Sequence, residues 1–161
     1  MIALSATSGN FATDNLTTDI QMIEIQALTS FDETCYSQLE NLMAQLTQNS
    51  RLTPEKLSDV LEHAHLFVAK DGDEIVGCAT LCPFFSPTGR KASIEDVVVS
   101  AEYRGKGIGR KLVEAAIEKA KASAPITLQL TSRPTRVAAN RLYQSMGFTP
   151  KETNFYFLKL Q

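Results

Sequence analysis

A chain of 161 residues, with 43 % hydrophobic and 21 % charged side chains, has the size and composition of one globular domain with a sizeable core. No apolar run is long enough to suggest a membrane-spanning helix, and a net charge of −2 argues against a general nucleic-acid binder. The charge is unevenly spread: residues 1–50 hold six acidic residues and no Lys or Arg, and the rest holds 16 basic and 12 acidic ones, so a polyanionic ligand is to be sought there.

Residues 1 to about 19 are polar and without period and read as a flexible leader, which leaves 20–161 as a single domain. The N-terminus lacks the basic start and apolar stretch of a secretory signal. Cys35, Cys78 and Cys82 are odd in number and lack metal-finger spacing, as expected of reduced thiols in a cytoplasmic protein without a bound metal.

Ile20, Met22 and Ile25 begin a short strand, and Thr29 or Ser30 is placed to cap the helix that follows, whose Leu39, Leu42, Met43 and Leu46 fall at helical spacing. Thr53-Pro54-Glu55 starts a second helix with proline in its first turn and Leu57, Val60 and Leu61 on one face. Leu66–Lys70 and Glu74–Leu81 read as strands joined through Asp71-Gly72-Asp73, a hairpin signal. Pro83, Pro87 and Gly89 mark a loop. Ala92–Val99, apolar and β-branched, reads as a central strand. Ile108–Lys121 is an amphipathic helix, Ile126–Thr131 a strand, and Val137–Ser145 a short helix closed by Gly147. Asn154–Leu160 is the expected last strand and a possible edge for a homodimer. The order β-α-α-β-β-β-α-β-α-β describes a mixed α/β domain, not a regularly alternating parallel one.

Arg104-Gly105-Lys106-Gly107-Ile108-Gly109 lies between the central strand and the amphipathic helix. Glycines let a backbone approach a ligand without a Cβ in the way, and the N–H groups opening a helix lack internal partners. Together they suit phosphate oxygens, with Arg104, Lys106, Arg110 and Lys111 adding positive charge. A dinucleotide fingerprint from Gly105 fails because Arg110 stands where its last glycine belongs, and no Walker sequence exists. A glycine-rich helix start with no ligand remains the alternative.

The run Val97-Val98-Val99-Ser100-Ala101-Glu102-Tyr103-Arg104-Gly105-Lys106-Gly107-Ile108-Gly109 resembles the acetyl-CoA signature of the GNAT superfamily of N-acetyltransferases, whose Arg/Gln-x-x-Gly-x-Gly/Ala core is matched by Arg104, Gly107 and Gly109. Asn140-Arg141-Leu142-Tyr143-Gln144-Ser145-Met146-Gly147-Phe148 resembles the second signature, a helix carrying Leu-Tyr and ending in Gly-Phe. Ile94–Val99 is also similar to the corresponding strand of glucosamine 6-phosphate N-acetyltransferases. The resemblance implies a central mixed β-sheet flanked by helices, with acetyl-CoA as acetyl donor. Backbone N–H groups of Arg104, Gly105, Lys106, Gly107, Ile108 and Gly109 would hold the pyrophosphate, and Val97, Val98 and Val99 would pair with the pantetheine arm. A bulge in that strand could aim an N–H at the thioester oxygen, and Tyr143 would sit near the sulfur. Many members carry an asparagine seven residues before the tyrosine. Arg136 stands there in this chain, and Asn140 is the substitute candidate for a pantetheine contact.

Transfer to an amine acceptor, a small molecule or a protein, requires neutral nitrogen, although an alkyl amine with a lysine-like pKa of about 10.4 is mostly protonated at neutral pH. Glu95 and Asp96, adjacent acids in an apolar strand, are the candidate base, with regular alternation sending them to opposite faces. Pairing with a basic neighbour is the structural alternative for each. Tyr143 is the candidate proton donor to the departing thiolate, or a packing residue. Arg133 and Arg136 could bind ligand phosphate or an acidic acceptor, or be solvated. A non-catalytic acyl-CoA-binding or regulatory module on the same fold is the alternative to an enzyme.

Overall fold

Four strands follow one another antiparallel across a sheet, and a fifth joins parallel at its end. In the computed structural model, which describes residues 23–48 and 51–160, these are β1 (Glu24–Leu28), β2 (His65–Asp71), β3 (Glu74–Ser86), β4 (Gly89–Val99) and β5 (Thr127–Leu130), in the spatial order β1-β2-β3-β4-β5. The leader expected at 1–19, with Ile20 and Met22, lies outside the described residues.

Helices α1 (Glu33–Leu46) and α2 (Pro54–His63) cover one face. Leu39, Leu42 and Leu57 pack there against Leu66, Val68, Ile75, Cys78 and Val98. Helices α3 (Ile108–Lys121) and α4 (Val137–Ser145) cover the other, where Ile108, Leu112, Val113, Ala116 and Tyr143 meet Phe67, Ala69, Ala79, Leu81, Ala92 and Ile94. Each fully buried Leu, Ile or Val on these faces contributes roughly 1.5–3 kcal/mol by leaving water. Among the described residues no helix is long and apolar enough to cross a membrane.

The bounds of α3 and α4 match the sequence reading, and α2 starts as expected: the Thr53 hydroxyl accepts from the Lys56 N–H at 3.3 Å with Pro54 at the first position. The cap of α1 is Asp32, not Thr29 or Ser30; its Oδ1 accepts from the Cys35 N–H at 2.8 Å. Pro83, expected in a loop, lies within β3 opposite Ala92. β2 pairs with β3 only as far as Leu81, so β3 has a free side at Pro83, where a missing N–H is tolerated.

The expected strand Asn154–Leu160 is not formed. Residues 148–160 carry neither helix nor strand, and Phe155, Tyr156, Phe157, Leu158 and Leu160 are each at least 75 % exposed. The composition of that segment supplies β-propensity, but a strand exists only through a ladder to a neighbour, and the outer edge of β5 is unpaired among the described residues.

Candidate active site

Strand β4 has neighbours on both sides only for part of its length. β5 pairs with it from Lys91 to Ile94. Beyond Ile94 the β5-facing edge of Glu95–Val99 is open among the described residues, while β3 continues along the other edge to Val99. The open stretch contains an irregularity: Thr80 of β3 faces Glu95, and Cys78 faces Val98, so β4 takes three steps where β3 takes two. This is a β-bulge. Asp96 sits in it at φ 51°, the left-handed region, which a short polar side chain tolerates better than most. The Cys78 thiol donates to the Asp96 carbonyl at 3.8 Å.

The bulge removes the strict alternation that would send Glu95 and Asp96 to opposite faces. Glu95 accepts a short hydrogen bond from the hydroxyl of Ser93, two residues earlier on the same strand face. Loss of solvation around the Asp96 carboxyl raises its pKa, and the Glu95 charge raises it further. The Cys82 thiol, opposite Ser93 in the ladder, is also raised, first by burial and then by Glu95 and Asp96. Both carboxylates thus act on the same thiol.

At the end of β4 the chain makes a single 3-10 turn, Ala101–Tyr103, and enters the glycine-rich segment. Gly105 and Gly107 both have φ 79°, a conformation strained for any residue with a Cβ. A Cβ on either would meet nothing within 4 Å, so the requirement for glycine is conformational and the space before the turn is open. Gly107 is the N-cap of α3, and among the described residues no side chain caps the helix; no acidic residue occupies its first turn. Its leading N–H groups therefore point outward with their partial positive charge. Lys106 lies with Nζ 4.5 Å from the Tyr103 ring centre. Arg104 Nε donates back to the Val99 carbonyl at 3.2 Å, and Arg110 Nη2 donates to the Ser145 hydroxyl at 2.6 Å.

The last contact ties α3 to α4. Gly109 lies where the two helices and β4 converge: a Cβ there would stand 3.7 Å from Leu142 and 3.8 Å from Val99. Tyr143, next to Leu142, is 9 % exposed, and its ring meets Phe148 edge-on at 6.1 Å. Burial raises the pKa of its hydroxyl, and the Arg136 charge opposes that rise. Asn140 spends its amide N–H on the Arg133 carbonyl at 2.9 Å, a bond that holds the loop before α4.

Val97–Val99, the turn 104–109 and the helix bearing Tyr143 thus gather around the end of β4, with Glu95 and Asp96 on the same open stretch. Three features of the site escaped the sequence reading. Ser93 was legible, since i and i+2 share a strand face. Gly77 was not: a Cβ there would lie 3.0 Å from the Val98 carbonyl and 3.1 Å from Leu112, so its smallness lets α3 close on β3. The Tyr103 hydroxyl donates to Asp71 Oδ2 at 2.8 Å, with Glu74 Oε2 at 3.4 Å, contacts between segments far apart in sequence that had no local signal.

The family pattern described as Acetyltransferase (GNAT) family matches residues 25–148. The chain is 31 % identical over 100 residues to N-acetyltransferase family 8 member 2 of Rattus norvegicus, covering 61 % of this chain and 43 % of that protein. It spans about half the length of the curated relatives it matches. A solved acetyltransferase of Trypanosoma brucei shares the fold at a TM-score of 0.68 and 26 % identity, over 86 % of this chain and 100 % of that one. An aminoglycoside N-acetyltransferase solved in complex with CoA does so at a TM-score of 0.68 and 17 % identity, over 86 % and 95 % of the two chains, a likeness of fold alone. With the family pattern running from β1 to the end of α4 over an open-edged β4 and its glycine turn, the chain belongs to the acetyltransferase (GNAT) family.

Proposed function

We propose that this protein moves the acetyl group of acetyl-CoA to an amine acceptor by direct attack. The observation that carries the reading is the parting of β4 from β5 immediately before the glycine turn. An extended amide-bearing arm would add to the open edge of Val97–Val99 as a strand does, and its pyrophosphate would meet the N–H groups of Arg104–Gly109. The residues fit such a ligand: among the described residues the edge is free and nothing stands within 4 Å of a Cβ on either αL glycine, and the first turn of α3 holds no acidic residue. The thioester supplies the acetyl group. A bulge N–H near Val97 would stabilise negative charge on the thioester oxygen as the amine attacks.

Asp96 or Glu95 accepts the proton of the ammonium acceptor, directly or through water. The raised pKa of Asp96 supports it as a base, because a base works best with a pKa nearer the working pH. Tyr143 donates a proton to the departing sulfur, and burial keeps its hydroxyl protonated for that task. The raised Cys82 pKa disfavours a thiolate relay and supports direct attack. The acceptor is an amine, of a small molecule or a protein.

A panel of amines with acetyl-CoA, followed by thiol release, tests this reading. Amine-dependent release supports an enzyme. Tight acetyl-CoA binding with no release for any amine would instead support the non-catalytic module.

A further inference from the structure

We infer that Tyr103 is the positioning residue of the glycine turn, clasping it to the β2–β3 hairpin; this rests on reading Arg104–Gly109 as the pyrophosphate site. A turn with two glycines at positive φ is permissive by nature, since each glycine has more backbone freedom than any other residue. Its shape must be set from outside. On the α3 side the anchor is Ile108, 2 % exposed and packed in the core. On the β4 side Arg104 bonds back to that strand at Val99, and Tyr103 is the side chain that reaches another element.

That hold is built from several elements. The chain leaving β4 is tied first by the Ser100 N–H to the Val76 carbonyl at 2.8 Å, then by the Ala101 N–H to the side-chain oxygen of Gln45 on α1 at 3.1 Å. Tyr103 closes the series: its hydroxyl donates to Asp71 Oδ2 at 2.8 Å, with Glu74 Oε2 at 3.4 Å. Asp71 ends β2 and Glu74 begins β3, so one bond joins the turn to the hairpin. The bond is charge-assisted. The other Asp71 oxygen is buried with no partner among the described residues, which makes Tyr103 the carboxylate's main hydrogen bond. The hydrogen bond to Asp71, then loss of solvation, then the charges of Asp71 and Glu74 push the Tyr103 pKa up to about 12, so the hydroxyl remains a donor near neutral pH. The ring serves as well: Lys106 Nζ stands 4.5 Å over it, which holds that ammonium at the turn between the two glycines. Ring and hydroxyl together fix both the path of the turn and the place of its central cation.

Tyr103→Phe separates these parts, since it keeps the ring under Lys106 and removes only the clasp. The expected result is an acetyl-CoA dissociation constant raised about 10-fold, the scale of one hydrogen bond to a charged group. The KM for acetyl-CoA should rise in parallel, and kcat at saturating donor should stay within about twofold of normal, because the clasp acts on binding and not on the reacting atoms. Amide exchange should quicken at residues 104–110 and not across the β1–β3 part of the sheet. Asp71→Asn keeps an acceptor oxygen but loses the charge, and should show the same pattern, weaker. A purely structural role would lower the melting temperature without this split. Gly107→Asp, measured alongside, separates the two claims. If it loses acetyl-CoA while Tyr103→Phe and Asp71→Asn bind like the wild type, the clasp is overturned and the site stands. If folded Gly107→Asp binds normally, the site reading fails and the clasp with it.

Discussion

The Cys78 thiol donates to the carbonyl of Asp96 at 3.8 Å, across a ladder that has gained one residue on the Asp96 side. That extra residue bends β4 where it leaves β5, and it puts an acid at positive φ beside an open strand edge. A non-glycine residue in the left-handed region is strained, and such strain tends to collect at functional sites.

Asp96 should therefore trade stability for activity. Its pKa is raised in the folded protein, so between the ordinary carboxylate value of 3.8 and its own raised value the folded state binds the extra proton. The stability linked to that proton is present below the ordinary value and is lost as pH rises through the raised one. Asp96→Asn removes this dependence, so the melting temperature of the variant relative to wild type should climb as pH goes from about 3.5 to 7. Turnover should fall in the same variant, most at pH values above the Asp96 pKa and below that of the amine, where the carboxylate is ionised and neutral amine is scarce. Thermal melts and pH–rate profiles of wild type, Asp96→Asn and Glu95→Gln check both. Wild-type profiles in both variants would remove the two carboxylates from the base role.

Tyr143→Phe keeps the ring that packs on Phe148 and removes the hydroxyl. General acid catalysis contributes about 10²–10⁴-fold, and turnover should fall by an amount in that range with acetyl-CoA affinity nearly unchanged. Single-turnover kinetics are the measurement of choice, since slow product release would mask a slower chemical step. A wild-type single-turnover rate in the variant would leave Tyr143 as a packing residue.

Gly77→Ala tests the fold beneath the site. Its Cβ would lie 3.0 Å from the Val98 carbonyl, which is backbone and cannot swing away, and 3.1 Å from Leu112 in the core. Overpacking of this kind costs about 1–3 kcal/mol. Urea denaturation should show a lower midpoint with an unchanged slope. Because α3 would be pushed off β3 near its start, acetyl-CoA binding should weaken too.

The parts of this architecture written in the sequence are those decided locally. Thr53-Pro54 announces α2, the apolar stripe from Leu112 to Ala120 marks α3, and the glycines at 105 and 107 reveal a turn of unusual conformation. Features decided by partners distant in sequence were not legible. Pro83 looks like a loop residue until β2 is seen to stop short of it. The bulge at Asp96 depends on register with Cys78 and Thr80, which alternation along β4 alone cannot show. Asp32 caps α1 where Thr29 or Ser30 is the expected cap, because a helix start is ambiguous over a few residues. Asn154–Leu160 has the composition of a strand but no ladder. Tyr103 stood inside the recognised motif, yet its partners Asp71 and Glu74 lie about thirty residues away.

Titration of acetyl-CoA into wild-type protein and Gly107→Asp by calorimetry tests the central claim most directly. Gly107 sits at φ 79° with nothing within 4 Å of a Cβ. An aspartate there adds bulk and negative charge where phosphate oxygens are expected, without a clash in the core. The wild type should bind one acetyl-CoA per chain. The variant, with an unchanged circular dichroism spectrum, should bind at least about 100-fold more weakly, because an unpaired like charge in a binding site costs several kcal/mol. Equal affinity in a folded variant would contradict the assignment of this turn to the cofactor.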